Sequence, residues 1–428
     1  MKKCIKDEGQ AARVCWENLE DWVRLQIQGY VQDLLEAEVS EALGRSKSQR
    51  RSAVDAPDGY RNGHGKSRRL TMSVGTITVR RPRVRDLEER FESRILPLFS
   101  KRTPTVNEVL PELYLHGLAE GDFDLALRGL LGAEAPLSAS TIARLKAKWQ
   151  VEFEAWSSRS LSDLEVVYLW ADGIYVKAGL EKDKAAMLVL IAGLSDGSKV
   201  VLAMRCGHRE SKESWAALLR DLKARGLNCP KLVVADGHLG IWGALTQVYP
   251  PADEQRCWNH RIINVLDKLP QRAQAEGREL LTQIPYAETL QQAEQSKARF
   301  QSWCRKHGHD EAADLIDQDW ERMVTFYRYP KEHWLHLRTT NVVESPFAAV
   351  RLRTDAAKRY KKIANATAVV WKMLLIAERR FRKLNEAHLL KEVWAGASYV
   401  DGVRVKSQNK KQTQKKLDRN KRKSRRAA

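Results

Sequence analysis

The stretch VVYLWADGIYV, Val166–Val176, is apolar for six residues and then places Asp172 beside a glycine. A run of this kind predicts a buried β-strand. Asp-Gly is also a common turn pair, so Asp172 either ends the strand in a turn or is the functional point of the strand. A second copy of the pattern, LVVADGHLGIW, places Asp236 in the same position after another apolar run.

The segments around these two copies predict a mixed α/β sheet. Three strand candidates follow one another, EVVYLWADGIYVKA, KAAMLVLIAGL and KVVLAMRC, and SDGS joins the last two as a hairpin. SKESWAALLRDLKARGL is an amphipathic helix with a serine cap and Gly226 at its end. The strand KLVVAD, a helix over residues 241–248 and the segment EQRCWNH complete the order β-β-β-α-β-α-β. We therefore expect a meander followed by crossover connections to parallel strands.

The flanking segments predict further elements. Residues 14–43 form a helix whose apolar positions are Trp22, Leu25, Val31, Leu34, Leu35, Val39 and Leu43. A Gly-, Ser- and Arg-rich loop or arm follows, and then a short hairpin closed near Gly75. Residues 106–131 and 138–153 form short helices, the second capped by Ser138 or Ser140. This pair is either a helix-turn-helix or plain scaffold. Residues 270–334 are mostly helical, and the basic tail is disordered.

Charge and composition narrow the class of protein. The chain has 428 residues, 43% of them hydrophobic, which allows two to four domains. The net charge is +20; the tail from Arg404 onward carries 12 Lys/Arg and one acid, so the remainder carries +9. A second basic zone, residues 45–85, holds 12 Lys/Arg against two acids. The tail alone is either a solubilising segment or a polyanion contact, but two separated basic zones favour a nucleic-acid partner.

The location of the protein also follows from its composition. No apolar stretch approaches the ~20 residues that a bilayer requires, and the N-terminal residues lack the apolar core of a secretory signal. Six cysteines lie far apart without a CxxC pair, which favours a reducing compartment. We expect a cytoplasmic protein, associated with the nucleoid through its basic segments, and no membrane partner.

Three acids stand out as a candidate metal site: Asp172, Asp236 and Glu344. If the first and fourth strands are neighbours, Asp172 and Asp236 lie side by side at one sheet edge, each at the end of its strand. Two such carboxylates repel, so Mg²⁺ or Mn²⁺ is the natural partner, and two ions would stabilise both oxygens of an in-line phosphoryl displacement. Each acid also has a structural explanation. Each Asp-Gly pair is also explained as a turn, and Glu344 either closes a capping box with Asn341 or stands just outside a helix that begins at Ser345-Pro346.

The segment RCWNHRIINVL adds three supporting residues near Asp236. Cys257 and His260 are one helical turn apart if the segment is helical. Two ligands make no structural zinc site, so a packing or orienting role is favoured over metal binding. Trp258 either stacks on an extruded base or packs in the core, the usual place for tryptophan.

The chain resembles the mutator-type transposases of bacterial insertion sequences. The resemblance rests on YLWADGIYVK, DGHLGIWGAL, QRCWNHRIINVLDKLP and RTTNVVESPFAAVRLRT, and more weakly on segments upstream. It covers residues 60–394 with the motifs in the family's order. It implies an RNase H-like core in which Asp172, Asp236 and Glu344 form a DDE triad with two Mg²⁺ or Mn²⁺ ions. The family's C-x-x-H signature falls on Cys257 and His260.

The resemblance also implies an organisation. We expect an N-terminal helix, arm and hairpin (1–105), a DNA-end-binding helical region (106–160), a catalytic core in two parts (161–269 and 336–400) around a helical insertion (270–335), and a basic tail (401–428). The segment LAEGDFDLALRGLLG departs from the polar helix-turn-helix lead of the family. DNA contacts are expected at Arg68, Arg69, Arg80 and Arg81 of the basic zone. Arg351 and Arg353 are either phosphate clamps or a solvated helix face.

The implied reaction is strand cleavage at the inverted-repeat ends of an insertion sequence, followed by attack of the released 3′-hydroxyl on target DNA. Pairing two ends requires a homodimer or a higher oligomer. Two alternatives stay open: an RNase H-like nuclease that cuts without joining, and a catalytically silent DNA-binding derivative of a transposase.

Overall fold

The structure is a computed structural model that describes residues 14–50, 59–118, 122, 127–128, 131, 139–179, 184–207, 211–237 and 239–405. Two compact units make up the chain, Met1–Leu145 and Lys146–Ala428. Among the described residues, no helix is both long enough and apolar enough to cross a membrane. The basic tail beyond Val405, including its predicted disorder, lies outside the described residues.

The first unit is built on one long helix and a two-stranded ribbon. Helix α1 (Leu19–Leu43) ends at Gly44, whose φ of 62° gives the left-handed C-cap expected of glycine. Strands β1 (Tyr60–Met72) and β2 (Gly75–Arg85) pair antiparallel. Gln28 and Gln32 of α1 bond the backbone of β2 at Thr78 and Arg80, which covers that edge of the ribbon. The buried cluster comprises Val31, Leu35, Leu70, Ile77, Val79 and Leu96.

Two predictions for this unit need correction. The ribbon begins at Tyr60, so much of the predicted arm is strand. Glu36 of α1 explains the difference, because its carboxylate bonds Arg61 and His64 at 2.6 Å each and holds this Gly-rich segment extended, with bulges on either side of His64. In α1, Trp22 and Leu25 are exposed rather than buried.

The predicted helical pair is only partly described. Helix α2 (Pro104–Leu115) lies in the first segment, and α3 (Ala139–Ser157) contains the second. Ser138 and most of residues 118–138 lie outside the described residues, including most of the departing segment LAEGDFDLALRGLLG. Ser140 is inside α3, so it is not the cap of this helix. The helix-turn-helix stays a prediction.

The second unit contains the predicted mixed sheet. Its strands are β3 (Val166–Val176), β4 (Ala185–Leu194), β5 (Lys199–Gly207), β6 (Leu232–Ala235) and β7 (Asp253–Arg256), in the order β5-β4-β3-β6-β7. β3 pairs antiparallel with β4 and parallel with β6, which in turn is parallel to β7. Helices α4 (Lys212–Ala224) and α5 (Leu239–Val248) lie in the crossovers. The order β-β-β-α-β-α-β is confirmed.

The apolar run of β3 reflects burial on both faces. Leu169 and Ala171 belong to the core cluster that also contains residues of α4 and α5. On the other face, the Tyr168 hydroxyl bonds Nδ1 of His333 at 2.8 Å and the Trp170 indole donates to the His336 carbonyl. Because alternate residues of a strand point to opposite sides, a strand covered on both sides is apolar throughout.

Helices make up most of the remaining chain. They are α6 (Trp258–Leu266), α7 (Gln274–Gln283), α8 (Leu290–Lys306), α9 (Asp310–Leu315), α10 (Trp320–Met323), α11 (Trp334–Leu337), α12 (Asn341–Glu344), α13 (Phe347–Ala356), α14 (Ile363–Glu378) and α15 (Ala387–Trp394), before the small hairpin of β8 (Tyr399–Val400) and β9 (Val403–Arg404). At β5, the Val201 N–H donates to the Glu378 carboxylate, and Arg159 donates to the carbonyls of Val201 and Leu202. These side chains satisfy backbone groups of an edge strand.

Candidate functional site

Asp172 and Asp236 occupy equivalent positions on paired strands. The parallel register of β3 and β6 ends at Ala171 opposite Ala235, and each aspartate is the next residue. The prediction that Asp172 ends its strand is wrong. β3 continues to Val176, and Asp172 pairs with Val189 of β4. The neighbouring β6 is the strand that ends at this level. The turn explanation is therefore wrong for Asp172, whose Oδ1 accepts the N–H of Gly173 at 2.8 Å.

The second Asp-Gly pair does leave its strand in a turn. Asp236 follows β6 directly, and Gly237 has a φ of +97°. A Cβ atom at this glycine would lie 2.2 Å from Nε of Arg256. Glycine therefore fits between the end of β6 and the Arg256 side chain without displacing that side chain. The backbone conformation at Gly237 in turn helps to position the adjacent Asp236.

Glu344 is the last residue of the single-turn helix α12, which packs against β3 and β4. Thr340, one helical turn earlier, donates its hydroxyl to Oε1 of Glu344. The predicted capping box is absent, because Thr340 is the N-cap and Asn341 already lies in the helix. Glu344 stands outside α13, as the alternative explanation predicted, but the N-cap of α13 is Pro346 and its first residue is Phe347, so the predicted cap at Ser345 is wrong.

Cys257 and His260 lie beside Glu344. The fully buried Cys257 is the N-cap of α6, and its N–H donates to the Ala235 carbonyl at 2.7 Å, one residue before Asp236. Its Sγ accepts from the backbone N–H of Thr340 at 3.4 Å and from the Thr340 hydroxyl at 3.2 Å. Ligand atoms of Cys257, His260 and Glu344 all lie within 4.8 Å of one another.

The charges around His260 place Asp236 in the same neighbourhood. The polar contact with Cys257 is the largest influence and raises the pKa of His260. Burial lowers this pKa, while the Cys257, Glu344 and Asp236 charges raise it further, to about 9 in all. Nδ1 of His260 lies 3.9 Å from Oε1 of Glu344. The imidazole is therefore cationic at neutral pH and faces acidic groups from β6 and α12.

Trp258 is a core residue rather than a base-stacking platform. Its side chain is 1% exposed, its indole N–H donates to the Met323 carbonyl at 2.8 Å, and its ring packs edge-on against Trp320. This burial contradicts a direct stacking role and confirms the usual explanation for a tryptophan.

The two arginines of α13 differ in exposure. Arg351 is exposed, with its guanidinium 5.9 Å from the centre of the Phe347 ring. Arg353 lies on the buried side of the helix and is 2% exposed. This burial contradicts both predictions for Arg353, the phosphate clamp and the solvated helix face. The two arginines differ because two positions along a helix rotate the side chain by about 200°.

The four arginines of the ribbon that were predicted to contact DNA also differ in exposure. Arg69 and Arg80 are exposed. Arg68 and Arg81 are partly buried and donate to the carbonyls of Ser100 and Phe91, at 2.7 and 3.4 Å. Arg69 and Arg80 are thus the more accessible of the four predicted DNA contacts, whose role stays a prediction.

The donor chemistry fits the predicted cations. Asp172 and Asp236 are side by side through the β3–β6 register, and Glu344 reaches the same region on α12. Carboxylate oxygens are the ligands that Mg²⁺ and Mn²⁺ prefer. Sequence reasoning missed Thr340, whose hydroxyl contacts both Glu344 and Cys257. The available signal was its spacing, since a side chain four residues before Glu344 lies one helical turn away.

Comparison with known proteins defines the class. The profile described as "Transposase, Mutator family" matches residues 2–381. The chain is 44% identical over 297 residues to the transposase for insertion sequence element IS6120 of Mycolicibacterium smegmatis, which covers 69% of this chain and 92% of that protein. It is 36% identical over 281 residues to the transposase for IST2 of Acidithiobacillus ferrooxidans, covering 65% and 94% of the two chains.

A third relative covers more of the chain. The transposase for ISRM5 of Rhizobium meliloti is 29% identical over 377 residues, which make up 85% of this chain and 91% of the relative. The class is therefore that of insertion-sequence transposases. Within it, the chain belongs to the Mutator family of transposases, and the resemblance noted in the sequence is confirmed.

Proposed function

We propose that the protein catalyses divalent-metal-dependent cleavage and strand transfer of DNA at the inverted-repeat ends of an insertion sequence. The observation that carries the proposal is the placement of Asp172 and Asp236 beside each other on paired strands, with the helix of Glu344 packed against the strand of Asp172. Asp172 and Asp236 follow the last register pair of β3 and β6, and α12, which carries Glu344, packs against β3 and β4. Membership of the Mutator family supplies the class of reaction.

The sheet supports an RNase H-like core. Its order is β5-β4-β3-β6-β7, and β4 alone runs against the other four strands. The central strand β3 carries Asp172, and its parallel neighbour β6 ends just before Asp236. This arrangement brings both acids to one edge of the sheet. The third acid arrives from the helical part of the chain.

The proposed chemistry is two in-line displacements at phosphorus. In the first, water attacks the phosphodiester at the element end and the 3′-oxygen leaves as a hydroxyl. In the second, that 3′-hydroxyl attacks a phosphodiester of the target strand and displaces its 3′-oxygen. Two cations held by Asp172, Asp236 and Glu344 would stabilise the attacking and leaving oxygens. The protein's own contribution is to hold the three carboxylates in fixed positions, with Thr340 orienting Glu344.

The DNA partners follow from this reaction. Arg351 is the exposed arginine of α13 and would contact a phosphate near Glu344, while Arg69 and Arg80 would contact DNA from the ribbon. Pairing two element ends requires a homodimer or a higher oligomer. Such a protein would act in the cytoplasm, on the nucleoid.

The test is a strand-transfer assay with paired element ends, target DNA, Mg²⁺ and the full-length protein. Asp172→Asn, Asp236→Asn and Glu344→Gln should each reduce joining by more than the ~100-fold that loss of an outer-shell partner causes. The exposed acids Asp163 and Glu294 provide matched controls as Asp163→Asn and Glu294→Gln. Full joining by any of the three site variants would refute the assignment. Cutting without joining would identify a nuclease, and binding without either reaction a silent derivative.

A further inference from the structure

We propose that Cys257, His260 and Glu344 form a binding site for a thiophilic divalent cation such as Zn²⁺ or Co²⁺. This site differs in chemistry from the carboxylate site of Asp172, Asp236 and Glu344, with which it shares one ligand. It combines a thiolate, an imidazole and a carboxylate, the donors found in three-ligand zinc sites that keep a fourth position open.

The three ligand atoms lie near enough to one another to close around a single ion. The three ligand atoms lie within 4.8 Å of one another. With metal bonds of about 2.0–2.3 Å, neighbouring ligand atoms of a zinc site are about 3.4 Å apart. Nδ1 of His260 and Oε1 of Glu344 are already 3.9 Å apart. Closure around an ion therefore requires this pair to approach by about 0.5 Å and any pair of the ligand atoms to approach by no more than about 1.4 Å.

Thr340 holds two of the ligands in place. Its N–H donates to Sγ of Cys257, and its hydroxyl contacts both that sulfur and Oε1 of Glu344. A hydroxyl has one proton, so it cannot donate to both acceptors at once. When the hydroxyl donates to Glu344, Cys257 keeps only the Thr340 N–H, and when it donates to Cys257, Oε1 of Glu344 loses this donor. A cation between the two groups would supply positive charge to both. Outer-shell donors of this kind are what orients ligands in metal sites.

His260 supplies the third observation. Its Nδ1 atom is buried and makes no hydrogen bond of normal geometry to any part of the chain that the structure describes. Buried polar atoms nearly always have a partner. A cation bound to Cys257 and Glu344 would give this nitrogen one by displacing the proton of the imidazole, since only neutral imidazole is a metal ligand.

The donor set selects the ion. Sulfur and imidazole ligands favour Zn²⁺ and Co²⁺, whereas Mg²⁺ keeps oxygen ligands. A consequence that rests on the proposed function is competition for Glu344. An ion on Cys257 and His260 would draw this carboxylate away from the Mg²⁺ site, so thiophilic ions should inhibit strand transfer.

The direct test is titration of the metal-free, full-length protein with Co²⁺. We expect a sulfur-to-cobalt charge-transfer absorption that saturates near one ion per chain, that Zn²⁺ abolishes and that Mg²⁺ leaves unchanged. Cys257→Ser and His260→Gln should each weaken binding by at least about tenfold. Cys304→Ser, which changes another buried cysteine, is the matched control and should leave the absorption intact.

Two outcomes would overturn the inference: no thiolate absorption at all, or an absorption that survives both Cys257→Ser and His260→Gln. Circular dichroism and thermal melting would show whether these variants fold. If the buried Cys257→Ser variant does not fold, the partly exposed His260→Gln variant decides the question.

An activity measurement separates this inference from the proposed function. The ratio of joining rates without and with Zn²⁺, at fixed Mg²⁺, should fall by about tenfold in the Cys257→Ser variant relative to the natural protein. If the protein joins no DNA under any condition, the proposed function fails while the Co²⁺ result stands by itself. If the triad variants behave as expected but Co²⁺ does not bind, only the thiophilic site fails.

Discussion

Replacing Gly237 with alanine tests how the chain presents Asp236. The φ of +97° is strained for any residue with a Cβ atom, which costs about 1–2 kcal/mol. The new Cβ would also lie 2.2 Å from Nε of Arg256, which must move. That arginine pairs with Asp319 at 2.5 Å in a largely buried position, and loss of such a charged hydrogen bond costs about 1.5–3 kcal/mol. Together the two effects destabilise the second unit by about 2.5–5 kcal/mol.

The matched control is Gly396→Ala. Its φ of +89° is similar, but nothing lies within 4 Å of the added Cβ. This variant should show only the backbone cost of about 1–2 kcal/mol. Because ~1 kcal/mol shifts the Tm of a domain of 150–250 residues by about 2–4 °C, calorimetry should separate the two variants.

Equal losses of Tm in Gly237→Ala and Gly396→Ala would refute the contact with Arg256. A double-mutant cycle sharpens the test. In an Arg256→Ala background, the cost of Gly237→Ala should fall by at least ~1 kcal/mol, because the obstructing side chain is gone. Strict additivity of the two substitutions would contradict the same reasoning.

Three further perturbations test other contacts. Burial lowers the pKa of His333 to about 4, below its unfolded value near 6.5. The unfolded chain therefore binds a proton that the folded protein excludes, and the free energy of unfolding falls by about 3 kcal/mol as the pH falls from 6.5 to 4. His333→Gln, which can still bond Tyr168, should flatten that slope in unfolding titrations. Thr340→Val should lower joining about 10–100-fold while Thr340→Ser keeps it, and equal rates in the two variants would exclude a role for the hydroxyl. Glu378→Ala should cost about 1–3 kcal/mol because the Val201 N–H loses its acceptor, whereas Glu378→Gln keeps one; equal losses in urea unfolding would contradict this.

The ribbon shows one limit of sequence reasoning. Residues 60–69 are rich in glycine and arginine, and their local preferences favour a loop. They form a strand in which Glu36, 25 and 28 residues earlier, bonds Arg61 and His64. Such a long-range contact overrides local propensity, and no local pattern announces it.

The side chains around the candidate site show another limit. Periodicity places Arg351 and Arg353 on one helix but does not show which face of the helix packs against the core. Likewise, the residue type of Trp258 does not show whether its side chain is buried or exposed. Burial settled these cases against Arg353 and Trp258. The catalytic role of the triad stays a prediction, although the two strands associated with its aspartates lie where the sequence indicated.

The sequence by itself determined the order of strands and helices and the positions of the two Asp-Gly pairs, because apolar periodicity and turn residues act over a few neighbours. Only the tertiary structure decided that Asp172 lies inside its strand, since this depends on β4, which pairs with β3 beyond the point where β6 ends. The tertiary structure likewise brought Thr340 to Cys257 across 83 residues. Which side chains meet at such a distance depends on how the packed elements cross, and that is a property of the whole unit.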